Sequence, residues 1–133
     1  MRAMSDARQE ALVELMFLAV HADGEFGEEE RNAFAQAIRE RGGPTGAEFK
    51  KTMDRIERDV AAQGREARIG ALAASFPDAK SKEDALVAVI AMVAADGVVR
   101  TSERELILEV AEGLGVEGDR AADLVAAGTR ATR

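Results

Sequence analysis

The sequence contains no cysteine, tryptophan or tyrosine, and it has one histidine, two prolines and five phenylalanines. Without cysteine there is no disulfide, no thiolate metal site and no cysteine nucleophile. So few aromatics exclude base-stacking platforms and aromatic cages. Basic residues are in the minority: 18 Lys and Arg stand against 25 Asp and Glu, for a formal charge of −7. That sign is wrong for gripping a phosphate backbone, so no nucleic-acid partner is expected. Long apolar runs are missing too. The longest, Ala85 to Ala95, is about half the ~20 residues of a membrane span, so no membrane insertion is expected. The start, Met1 to Glu10, is polar, carries Asp6 and Glu10, and does not read as a signal peptide. A cytoplasmic location is the expectation from these missing signals.

What is present is helix-forming. Over 133 residues, 47% hydrophobic and 32% charged content suits one globular domain spanning 1–133. Ala, Leu, Glu and Arg dominate, sustained β-type alternation is nowhere found, and glycine and proline cut the chain into about seven helices. The fold class expected is an all-α bundle. The first helix runs from near Asp6 to Ala22 and the second from near Glu28 to Arg41. Thr45 with Glu48 forms a capping-box signature for the third, Gly46 to Gln63. The fourth covers Arg65 to Phe76. Ser81 with Asp84 opens the fifth, which ends at Ala95. The sixth spans Thr101 to Leu114, and the seventh runs from Glu117 to about Ala127 before a tail expected to fray. Ala11 to Val20 and Ala85 to Ala95 are apolar on almost every face, interrupted only by Glu14, and predict the two central helices. In the third helix Phe49, Met53, Ile56 and Val60 form a core stripe, and pairs such as Asp54 with Arg58 decorate the solvated face.

The chain also repeats itself. Ala22-Asp23-Gly24 recurs 73 residues later as Ala95-Asp96-Gly97. The same offset carries Val20 onto Val93, Phe26 onto Val99, Glu30 onto Glu103 and Arg31 onto Arg104. The organisation is therefore helix, Asp-Gly turn, helix (repeat 1, about 6–41), connecting helices (about 45–76), the same unit again (repeat 2, about 81–114) and a C-terminal helix (about 117–128). Each copy overlaps half of a calcium loop. Its first and third ligand slots, however, fall on Ala19 and His21 in one copy and on Met92 and Ala94 in the other, so a self-contained EF-hand is rejected.

Ala22-Asp23-Gly24-Glu25-Phe26-(x3)-Glu30 and Ala95-Asp96-Gly97-Val98-Val99-(x3)-Glu103 resemble the doubled motif of the TerB-like proteins. These are the tellurite-resistance TerB proteins and their relatives, among them the N-terminal domain of the DjlA type of membrane-anchored co-chaperone. The resemblance runs from about Glu10 to Leu114. It implies a seven-helix domain with internal pseudo-symmetry, a role in tellurite or stress resistance, and an acidic cluster proposed to bind a divalent metal. Carried over by position, that cluster is Asp23, Glu30, Asp96 and Glu103. The second copy is poorer in acids, with Val98 in place of Glu25 and Thr101-Ser102 in place of Glu28-Glu29.

Pseudo-twofold packing of the central helices would bring the two Asp-Gly ends together. Four carboxylates within a few ångströms cannot all stay ionised without a partner. A hard cation solves this, and oxygen ligation favours Ca²⁺, Mg²⁺ or Mn²⁺. His21 and Glu25 are further candidate ligands. Two alternatives need no ion. Arg31 and Arg104 can each cross to the other repeat's aspartate and close a structural clasp. Or the acids simply cap their own helices, with Asp23 and Asp96 in Asp-Gly turns and Glu28 to Glu30, Glu103 and Glu105 in first helical turns. Glu14 lies nine residues before Asp23, about half a rotation round the helix, which points it away from the cluster and toward a surface or interhelix polar contact.

No catalytic set is expected. The single histidine has no nucleophile beside it, and phosphate-cradling or dinucleotide-binding glycine patterns are missing. Only a carboxylate-held metal acting on water or phosphate would make the chain a hydrolase. The expected function is thus a non-enzymatic stress module that binds a divalent cation, a protein partner, or both, without an organic cofactor. A metal-free interaction scaffold is the alternative.

Overall fold

A computed structural model describes residues 6–21, 27–96 and 99–132, with the side chains of 6, 96 and 130–132 left aside. The described residues form seven α-helices: α1 (Asp6–Val20), α2 (Glu28–Glu40), α3 (Gly46–Gln63), α4 (Arg65–Leu72), α5 (Ala79–Val93), α6 (Thr101–Leu114) and α7 (Gly118–Thr132). Short 3-10 turns, Ala73–Ser75 and Ala94–Asp96, extend α4 and α5. There is no strand among the described residues.

Helices α1 and α5 pack on each other at the centre, as their apolar sequences require. Helices α4 and α6 close on α1, while α6 and α7 close on α5. Leu15, Ala19, Leu86, Val89 and Ile90 are buried at this junction, joined by Met53, Ile56, Ile69, Ile107 and Leu114 from the surrounding helices. The stripe expected on α3 faces this core, with Phe49, Met53 and Ile56 buried and Val60 packed at its margin. Helix α5 is less enclosed than its composition suggests. Val87 keeps 46% of its surface exposed, and Ala91 and Ala95 are exposed beyond it.

Several boundaries differ from the sequence expectation for identifiable reasons. Helix α5 opens at Ala79, before Ser81. Asp78 accepts a hydrogen bond from the Ser81 N–H at 2.7 Å while the Ser81 hydroxyl accepts one from the Asp78 N–H at 3.2 Å. The stronger acceptor sits immediately after Pro77 and sets the start, so Ser81 closes the capping box instead of opening it. Thr45 does precede α3, but its side chain makes no cap bond. That helix start is exposed, which leaves its first N–H groups to water. On the α3 surface Asp54 pairs with Lys50 at 3.3 Å and not with Arg58.

Helix α7 does not stop near Ala127. It runs on to Thr132, because Gly128 is a packing position and not a breaker. A Cβ placed on Gly128 would lie 2.5 Å from Cγ2 of Ile90 in α5. Gly113 of α6 meets Cγ2 of Ile69 in α4 in the same way. At both points a missing side chain lets a β-branched methyl enter the facing helix.

Candidate functional site

The starts of α2 and α6 repeat one local device. The Gly27 N–H donates to Oε1 of Glu30 at 2.8 Å, and the Arg100 N–H donates to Oε1 of Glu103 at 2.9 Å. Each glutamate is the third residue of its helix, where its charge complements the helix dipole and satisfies a free N–H. One oxygen of each carboxylate is thereby used for capping. The second oxygen of Glu103 lies 3.6 Å from Nη1 of Arg100.

Both glutamates line one cleft of about 300 Å³. Val20 of α1, Ala33, Phe34 and Ala37 of α2, Met92 and Val93 of α5, and Ala95 line it with them. The lining contains two of the pairs that the 73-residue offset relates, Val20 with Val93 and Glu30 with Glu103. Glu103 is buried and Glu30 is exposed, so the carboxylates occupy the inner wall and the rim. Phe34 is held from behind by Phe17 and Phe49, at centroid distances of 6.2 and 6.1 Å. His21, a further candidate ligand, stacks flat on Phe17 at 5.2 Å.

Asp23 and Glu25 lie outside the described residues, as does the side chain of Asp96, whose backbone ends a 3-10 turn. Among the described residues no group of three or more His, Asp or Glu could hold a metal ion. Of the two clasp arginines, Arg31 donates to Glu57 of α3 at 2.6 Å, anchoring α2 to α3. Arg104 is exposed and makes no ion pair with a described residue.

The most heavily buried charge lies elsewhere. Glu14, the one interruption of the apolar run Ala11 to Val20 in α1, is wholly removed from solvent. Arg68 of α4 reaches it with two hydrogen bonds, Nε to Oε2 at 2.7 Å and Nη2 to Oε1 at 2.9 Å. Arg55 of α3 approaches Oε1 at 3.3 Å and also contacts Asp59 at 3.0 Å. The bond to Glu14 raises the pKa of Arg68 further, so this guanidinium stays charged. Of the surface and interhelix contacts that the sequence allows for Glu14, the structure contains the interhelix one. A lone carboxylate in an otherwise apolar run of α1 is the signal, but its partner 54 residues away is not legible in the sequence.

The site is thus an apolar cleft with an acidic wall and rim, set in an all-helical bundle that repeats one helix-capping device. The family described as Tellurite resistance protein TerB matches residues 9–126, nearly the whole chain. The protein belongs to the TerB family. No curated protein and no solved structure matches it significantly. No helix among the described residues is long and apolar enough to cross a membrane.

Proposed function

We propose that this TerB protein is a non-enzymatic stress- or tellurite-resistance module. In this reading its two Asp-Gly corners, related by a pseudo-dyad, form one acidic locus for a divalent cation. Asp23, Glu30, Asp96 and Glu103 supply the oxygens, and Ca²⁺, Mg²⁺ or Mn²⁺ is the ion. The observation that supports this reading is the shared cleft, which Glu30 and Glu103 both line although they are 73 residues apart. Capping fixes one oxygen of each glutamate; the other oxygen of Glu30 is open to a ligand, and that of Glu103 would exchange its 3.6 Å contact with Arg100 for the ion. A cation there would neutralise the corner and fix the angle between the two halves of the bundle.

Thermal melting of chelator-treated protein, with and without each ion, tests the proposal. An ion that binds only the folded state stabilises it by RT ln(1 + [L]/Kd), roughly 2.7 kcal/mol at a hundredfold excess over Kd. The melting temperature is expected to rise with one of the three ions and not in Asp23→Asn. No shift with any of them at millimolar concentration would rule the cation out.

A further inference from the structure

Beside its acidic wall the cleft has a second property that cation binding does not use. Its floor and sides are apolar, formed by Phe34, Met92 and Val93, with the exposed Ala33 at the edge. The apolar surface does not end there. From Ala95, in the 3-10 turn that extends α5, the exposed Ala91 and Val87 follow at four-residue steps back along α5, away from the cleft, for about 12 Å at about 1.5 Å per residue. Glu30 lines its rim, preceded at the start of α2 by Glu28 and Glu29; all three are exposed and make no ion pair with a described residue. An apolar trough beside exposed acidic side chains is complementary to a surface that is apolar and positive.

We propose that this cleft docks a segment of a partner protein that presents aliphatic side chains next to lysine or arginine. An aliphatic side chain enters between α2 and α5, and its basic neighbours reach the glutamates of the α2 start. The partner is a chain segment because the exposed stripe on α5 extends well beyond the cleft, farther than one small molecule filling about 300 Å³ would cover. This docking rests on the apolar walls and the rim charge, and it requires no bound cation.

The probe is a fluorescein-labelled amphipathic peptide with leucines at helical spacing and lysines beside them. Anisotropy is measured in chelator, so the outcome is independent of the cation proposal. Saturable micromolar binding is expected, with amide shifts in the wild-type protein centred on Phe34, Met92 and Val93. A version with serine for leucine is expected to lose binding, as is one with glutamate for lysine. Filling the cleft with Ala33→Leu is expected to weaken affinity about tenfold, and Glu30→Gln about threefold at low salt. Glu66→Gln, on the exposed start of α4, is expected to leave it unchanged. The proposal fails if the parent peptide does not bind, or if the leucine-free peptide binds equally well. It also fails if Ala33→Leu, shown folded by its melting curve, binds as wild type, or if the amide shifts avoid the cleft.

Discussion

Glu14 and Arg68 form a two-pronged ion pair across the interface of α1 and α4, with the carboxylate entirely buried. Together with Arg55 the pair joins three helices at one point. Breaking a buried pair leaves an uncompensated charge, which costs far more than the intact pair contributes. Arg68→Met is therefore expected to destabilise the fold by about 3 kcal/mol, and Glu14→Leu combined with Arg68→Met to recover most of that loss. Urea unfolding of the two single variants and the double variant checks this. Additive losses would show that the two residues are not coupled.

Glycines at two helical positions should respond in opposite directions. Gly70 of α4 has open space around it, so Gly70→Ala is expected to stabilise by up to about 1 kcal/mol through helix propensity alone. Gly128→Ala carries the same propensity gain but drives a methyl into Ile90, and is expected to cost about 1–3 kcal/mol. Removing the β-branch with Ile90→Leu should relieve part of that cost. Thermal melts of these variants decide the matter, and a stabilising Gly128→Ala would mean that α7 does not seat on α5 as described.

The capping and ligand roles of Glu103 can be separated. Glutamine keeps an oxygen for the Arg100 N–H, whereas alanine loses it. Glu103→Ala is expected to cost about 1 kcal/mol in chelator, and Glu103→Gln much less. If the carboxylate is also a ligand, Glu103→Gln should still abolish any cation-dependent rise in melting temperature. Comparing the two variants in chelator and with each ion reads both roles in one series.

Acid stability should depend on Asp78. The Ser81 N–H and hydroxyl hold its carboxyl below the usual aspartate range, with the backbone bond the larger cause. A group depressed in the folded state stabilises fully above its unfolded pKa, and that contribution is lost as pH falls through the lower folded value. Asp78→Asn retains an acceptor for α5 but removes this ionisation. Its stability, measured from neutral pH down through about pH 4 and below, is expected to fall less steeply than that of the wild type. Glu83, lowered by its bond to Arg120, contributes in the same direction and remains in both proteins.

The helices were legible because their breakers are local. The bounds of α3 and α6 match the expectation, and the apolar runs of α1 and α5 do identify the central pair. Gly128 misled because a glycine late in a helix reads the same whether it ends the helix or admits a neighbour, and only the position of Ile90 separates the two. Glu14 was visible as an anomaly, but a helical wheel gives a direction and not a partner on α4. At the candidate site the repeat singled out Glu30 and Glu103, which share a cleft. The apolar walls of that cleft come from four separate segments, and periodicity within one helix cannot reveal a space between several. The Asp-Gly corners, 22–26 and 97–98, lie outside the described residues.

The contact between Glu14 and Arg68 also bears on how the chain is made. While the ribosome has released only the segment up to α3, Glu14 has Arg55 as its described partner, at the longer distance of 3.3 Å. The two short bonds that balance its burial are available only after Arg68 has emerged. Full enclosure of Glu14 is therefore expected only once the connecting helices have arrived, whatever the apolar face of α1 does before then.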